Sequence, residues 1–213
     1  MSEQPLFESL EGLRGTGKST IAPMLAAARG AVLVPTVPPF YQPLRREVDR
    51  RGSAEARMCF YLSALFTATD EIRRSLASGL PVVVESYFAR CLTSHRVLGA
   101  DLGITLPPGL PQPTSYQLVC TEDERQHRLS RRGKPVSRWD ALIETAADRV
   151  ADAYAEFSMR RVDTTGLRPD GVLQAILAAD TQGTHHCADT EPVGAHPHFL
   201  PSVPRRPEGT RHS

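Results

Sequence analysis

Residues Glu11 to Thr20 read EGLRGTGKST, which sets Gly12, Gly17, Lys18 and Ser19 at the spacing of a phosphate cradle. Glycines at 12, 15 and 17 let the backbone turn successive N–H groups inward on an anion. A helix opening near Lys18 adds its own free N–H groups and the positive end of its dipole. Lys18 then reaches the β- and γ-phosphates, and the Ser19 hydroxyl takes a place on Mg2+. The expected nucleotide cradle is Gly12, Arg14, Gly15, Thr16, Gly17, Lys18, Ser19 and Thr20.

A metal-bound triphosphate also needs a carboxylate at the metal or at the attacking oxygen. Glu85 directly follows the apolar run Val82, Val83, Val84, so Ser19 and Glu85 are the expected metal ligands. Arg125, Arg128, Arg131 and Arg132 lie on or beside one charged helix, and Arg138 follows a short GKPVS loop. Guanidinium groups stabilise the charge that spreads over a transferring phosphoryl group, and a mobile arginine-bearing segment excludes water. The expected catalytic set is therefore Lys18, Glu85, Arg128 and Arg132. The stretch DTTG at 163–166 imitates a GTPase switch, but it follows the last strand and no N-K-x-D motif accompanies it.

These groups need elements to position them. Leu6, Phe7 and Leu10 predict a strand before the cradle, although Glu8 and Ser9 interrupt what a buried central strand should carry. STIAPMLAAARG predicts a helix ending at Gly30, with Pro23 about one turn inside it. Further strands are predicted over 31–35, 81–85, 115–120 and RRVDT, with helices between them. The longest helix starts at an N-capping Ser53 and repeats Met58, Leu62, Leu65, Ile72 and Leu76 at helical spacing. RWDALIETAADRVADAYAEF reads as one continuous helix. Strands alternating with helices mean a three-layer α/β fold, a five-stranded parallel sheet with helices on both faces. Ligands of such sheets bind beyond the carboxyl ends of the strands, where the cradle, Glu85 and Asp163 all fall.

The chain has 213 residues, enough for one core. A net charge of +1 gives no electrostatic case for nucleic acid or a membrane surface. All basic residues except Lys18 and Lys134 are arginine, a bias attributable to GC-rich coding. Four scattered cysteines without metal-ligand spacing, and no secretory signal, point to the cytoplasm. Residues 1–180 read as the folded domain, and 181–213 as a disordered tail holding five of the seven histidines at irregular spacing.

In these motifs the chain resembles the thymidylate kinase branch of the P-loop nucleoside and nucleotide kinases, over about residues 5–180. EGLRGTGKST, GLPVVVESY, EDERQHRLSRRG, DRVADAYAEF and RRVDT carry the likeness. The Glu-Gly opening and a third strand ending in glutamate also resemble the deoxynucleoside kinases. The resemblance implies ATP and Mg2+ as cofactors and a small-molecule acceptor contacted by Tyr61, Glu85 and Tyr87. It admits a homodimer. It also exposes departures. The arginine of the family's Asp-Arg-Tyr falls on Ser86, the base-reading arginine on Leu65 and the P-loop aspartate on Arg14, and VPTVPP carries no arginine. The leading expectation is thus an ATP-dependent kinase acting on the hydroxyl of a nucleoside-like or other small acceptor. The alternative is a nucleoside monophosphate kinase in which arginines such as Arg14, Arg45 or Arg90 substitute for those lost. A nucleotide-binding regulatory module with little catalysis is the third reading.

Overall fold

The computed structural model describes residues 5–183 apart from positions 101, 134 and 135. Strands β1 (Phe7–Glu11), β2 (Val32–Val34), β3 (Val82–Glu85), β4 (Thr114–Val119) and β5 (Arg160–Asp163) form one sheet in the order β2-β3-β1-β4-β5. Every pairing is parallel. The carboxyl ends of all five strands therefore share one edge. The three-layer α/β architecture is as expected.

Alternation along each strand divides the core into two layers. Phe7, Val82 and Val84 face one side, where α3 (Ala54–Ala77) and α4 (Phe88–Val97) supply Met58, Leu62, Leu65, Phe88 and Leu92. Leu10, Val83, Tyr116 and Leu118 face the other, against α1 (Lys18–Arg29) and α8 (Pro169–Gly183). Each valine of β3 is wholly buried, a gain of about 1.5–3 kcal/mol apiece. α2 (Gln42–Arg51) and α5 (Glu122–Ser130) flank the carboxyl edge, with α6 (Arg138–Thr145) and α7 (Ala147–Ala153) following.

The two polar residues of β1 are resolved by partners distant in sequence. Glu8 is buried on the Leu10 side, where Arg29 donates to both its oxygens at 3.1 and 3.0 Å and the Tyr116 hydroxyl adds a third bond at 3.2 Å. Such a forked, charge-assisted pair offsets much of the cost of burying a carboxylate. Ser9 pairs with the Ser115 hydroxyl at 2.8 Å. Pro23 lies on the exposed face of α1, and the helix passes through it unbroken.

Ser53 caps α3 as expected, its hydroxyl accepting the Ala56 N–H at 3.2 Å. The single helix expected after Arg138 is instead two helices and a 3-10 turn, Tyr154–Glu156. The break falls at buried Ala146, φ −118°, and sequence propensity gives no reason for it. Packing does: the break lets Ile143, Val150 and Tyr154 enter one cluster with Ala89. α8 runs to Gly183, three residues beyond the expected domain limit. The remainder of the expected tail, with Cys187 and its histidines, lies outside the described residues.

Candidate active site

The cradle follows β1 without a break. Gly12, Gly15 and Gly17 have φ of 126°, 87° and 106°, values closed to other residues at little cost. At Gly12 a Cβ would stand 2.3 Å from the Leu118 carbonyl oxygen, so the turn excludes any side chain there. Gly17 caps α1, and Thr20 and Ile21 donate their N–H groups to its carbonyl at 2.9 and 3.0 Å. Thr16 is buried, its hydroxyl on the Leu13 carbonyl at 2.9 Å. Lys18 is also buried and donates to the carbonyls of Gly12 and Leu13 at 2.9 and 2.7 Å. Burial first, and Arg90 second, push its ammonium down to about 7.

The Ser19 hydroxyl donates to Glu85 Oε1 at 2.6 Å, bringing the two expected metal ligands together from α1 and β3. A divalent ion coordinated by phosphates fits this donor set of hydroxyl and carboxylate. These two residues would hold Mg2+, which supplies Lewis-acid neutralisation of phosphate charge when bound. Next along the chain, Ser86 has φ 66° and is the one non-glycine with positive φ among the described residues. That strained turn delivers the Tyr87 N–H to Glu11 Oε1 at 2.6 Å. Glu11 is wholly buried, burial pushes its carboxyl up to about 7, and its second oxygen has no hydrogen-bond partner among the described residues.

Beside this edge opens a cleft of about 720 Å³, bounded by Ser19, Glu85 and Ser86 at one end and by Tyr61, Arg57 and Trp139 at the other. Three arginines line it. Arg90, from the first turn of α4, donates to the Gly12 carbonyl at 2.6 Å. Arg45 of α2 donates to the Tyr61 hydroxyl at 3.0 Å, and Arg57 of α3 ion-pairs with Asp49. His95 also lines the cleft; burial pushes it down to about 4, so it is neutral at pH 7. Burial raises its neighbour Cys91 to about 12, which removes a thiolate from the chemistry available here.

Several expected residues sit differently from expectation. Tyr61 reaches the cleft, but Arg57 lies over its ring at 4.8 Å and His95 at 5.7 Å, so it is no open stacking platform. Tyr87 borders the cleft with its ring packed on Phe7 and Phe88 and its hydroxyl 3.0 Å from that of Thr69. Arg14 turns to Asp140 and Glu144 of α6, at 3.2 and 3.8 Å. The arginine run divides. Arg125 is 2% exposed and held by Glu122 and Glu144, while Arg128 is bound to Glu124 and to both oxygens of Thr164. In this arrangement Arg128, expected on the phosphate, braces the floor of the cradle through Thr164, whose hydroxyl is 3.3 Å from the Thr16 carbonyl. Arg132 stays exposed beyond the end of α5. Asp163 is exposed and accepts the Thr165 N–H at 2.8 Å, closing a turn.

Sequence reasoning passed over Glu11, Arg57 and Trp139. Glu11 was signalled only by its place directly before Gly12. Arg57 stands one helical turn before Tyr61, a spacing that puts both on one face.

No helix among the described residues is long and apolar enough to cross a membrane. No family model matches the chain, and no curated protein matches it. Among solved structures it is similar to thymidylate kinase from Candida albicans, with a TM-score of 0.70 and 17% identity over 87% of this chain and 95% of that one. The architecture is a thymidylate kinase-like three-layer α/β P-loop fold.

Proposed function

We propose that the protein is an ATP-dependent phosphotransferase that passes the γ-phosphoryl group to a small acceptor bearing a phosphate, in the manner of a nucleoside monophosphate kinase. The observation that carries this reading is Arg90. It lines the same cleft as Ser86, so its guanidinium can serve the acceptor region where Ser86 stands in place of an arginine. It also hydrogen-bonds the cradle itself at Gly12. Arg45 and Arg57 add positive charge on the same cleft, which suits an anionic acceptor. This reading takes the nucleoside monophosphate kinase alternative over the leading expectation of a nucleoside-like or other small acceptor, and the similarity to a thymidylate kinase supports it.

In this reading the cradle N–H groups and Lys18 hold the nucleotide phosphates. Ser19 and Glu85 hold the metal, Arg90 orients the acceptor phosphate, and Arg132 approaches from the end of α5. Lys18 neutralises charge that grows during transfer. A neutral hydroxyl acceptor is the second reading, favoured by Ser86 and Leu65 on the cleft wall. ADP formation with matched nucleosides and nucleoside monophosphates separates the two. A clear preference for nucleosides in kcat/KM sinks the first reading, and no acceptor-stimulated ADP release sinks both.

A further inference from the structure

Three successive residues leaving β1 hold three points at the start of α4. The Leu10 carbonyl accepts the Ser86 N–H at 2.9 Å, Glu11 Oε1 accepts the Tyr87 N–H at 2.6 Å, and the Gly12 carbonyl accepts from the Arg90 guanidinium at 2.6 Å. The middle contact is made by a side chain. Tyr87 is the N-cap residue of α4, and its own side chain makes no capping bond. The Glu11 carboxyl therefore caps this helix from another element. A carboxylate at a helix start satisfies an unpaired N–H and complements the dipole. Arg90 lies three residues after that cap, so the first turn of α4 sets where its guanidinium stands.

The charge of Glu11 has a second use. Lys18 and Arg90 both donate to the Gly12 carbonyl, at 2.9 and 2.6 Å, which brings two cations to one oxygen. Arg90 disfavours the charged form of Lys18, and Glu11 favours it. Glu11 is wholly buried, and one of its oxygens has no hydrogen-bond partner among the described residues. A glutamine would accept the same N–H bond at a smaller desolvation cost, so the fold alone does not call for a carboxylate here.

We infer that Glu11 is a positioning residue for the acceptor: its negative charge against the first turn of α4 keeps Arg90 beside Lys18 at the head of the cleft. Without that charge the Tyr87 bond survives, but α4 loses the anion at its start and the two cations repel across Gly12. Arg90 then leaves the place from which it serves the acceptor phosphate. This rests on the reading of Arg90 as the ligand of that phosphate.

ADP formation with a nucleoside monophosphate acceptor is measured on the full chain for the parent, Glu11→Gln, Arg90→Gln and the double variant, with circular dichroism of each. Saturating Mg·ATP is used, because bound phosphates keep Lys18 charged. Glu11→Gln should raise the acceptor KM roughly 3- to 10-fold, with kcat within about twofold of the parent. In the Arg90→Gln background the same substitution should change that KM by less than about twofold, since the residue through which it acts is gone. Glu11→Asp keeps the charge and should hold KM closer to the parent than Glu11→Gln does. An unmoved KM in Glu11→Gln, equal factors in the two backgrounds, or the reverse order of Asp and Gln overturns the inference and leaves the kinase reading standing. A Glu11→Gln chain that does not fold makes the carboxyl a requirement of the fold and also overturns it. An acceptor KM untouched by Arg90→Gln, or no acceptor-stimulated ADP release, overturns the reading beneath it and the inference together.

Discussion

The glycine-rich cradle and the arginine-lined cleft share an edge of the sheet but are built in opposite ways. The cradle is largely local: nine residues from Gly12 to Thr20 take their turns through three glycines, Thr164 only braces the floor, and the Gly17 carbonyl starts the helix. The cleft is assembled from α1, α2, α3, α4, α6 and the ends of two strands, and its arginines are oriented by Asp49, Tyr61, Trp139 and the Gly12 carbonyl. A site fixed by backbone conformation tolerates little change and announces itself in a short motif. A site fixed by side chains from distant segments can change its ligand while keeping its fold.

The contrast can be broken most directly at Lys18. Lys18→Ala should cut turnover by about 10³-fold or more with the fold intact, measured as ADP release beside circular dichroism. Normal turnover in folded protein would remove the cradle from the chemistry. Gly12→Ala should act on stability instead. The methyl group meets the Leu118 carbonyl at 2.3 Å in a backbone of φ 126°, so a loss on the order of 4 kcal/mol is expected in denaturant unfolding. A loss under about 1 kcal/mol would mean the loop gives way as readily as the cleft does. Arg90→Gln is the smaller and more selective change. It should raise the acceptor KM roughly 10- to 100-fold through one lost charged hydrogen bond, with a smaller change in the KM for ATP because Arg90 also bonds the Gly12 carbonyl. Equal effects on both substrates would merge the two regions that the structure divides.

The same division decides what could be read from the sequence. The cradle, the alternation of strands and helices and Glu85 at a strand end were legible because each depends on neighbours within a few residues. Glu8 and Ser9 read as faults in β1, since their partners Arg29 and Ser115 are brought near only by the fold. The arginine run read as one lid. In three dimensions Arg125 and Arg128 turn inward to carboxylates and Thr164, leaving Arg131 and Arg132 exposed. Spacing along a helix gives the face a residue occupies, not what waits opposite it. The split after Thr145 was hidden for the same reason: alanine at 146 favours helix, and only the packing of Ile143 and Val150 ends it.

The burial of Lys18 on two carbonyls has a consequence for acid–base balance. In this loop burial pushes its ammonium down to about 7, so above that pH a growing share of molecules lacks the proton. Anionic phosphates favour the charged form and raise the value again. The complex therefore holds more protons than the free chain, and loading the nucleotide consumes them from the buffer. Linkage then fixes the sign: apparent nucleotide affinity falls as pH rises above about 7, by up to about tenfold per unit, until Lys18 in the complex itself begins to titrate. Calorimetry at pH 8 in two buffers of different ionisation enthalpy measures this uptake, expected to approach about one proton per nucleotide. Equal heats in both would mean that the lysine is already charged before any phosphate arrives.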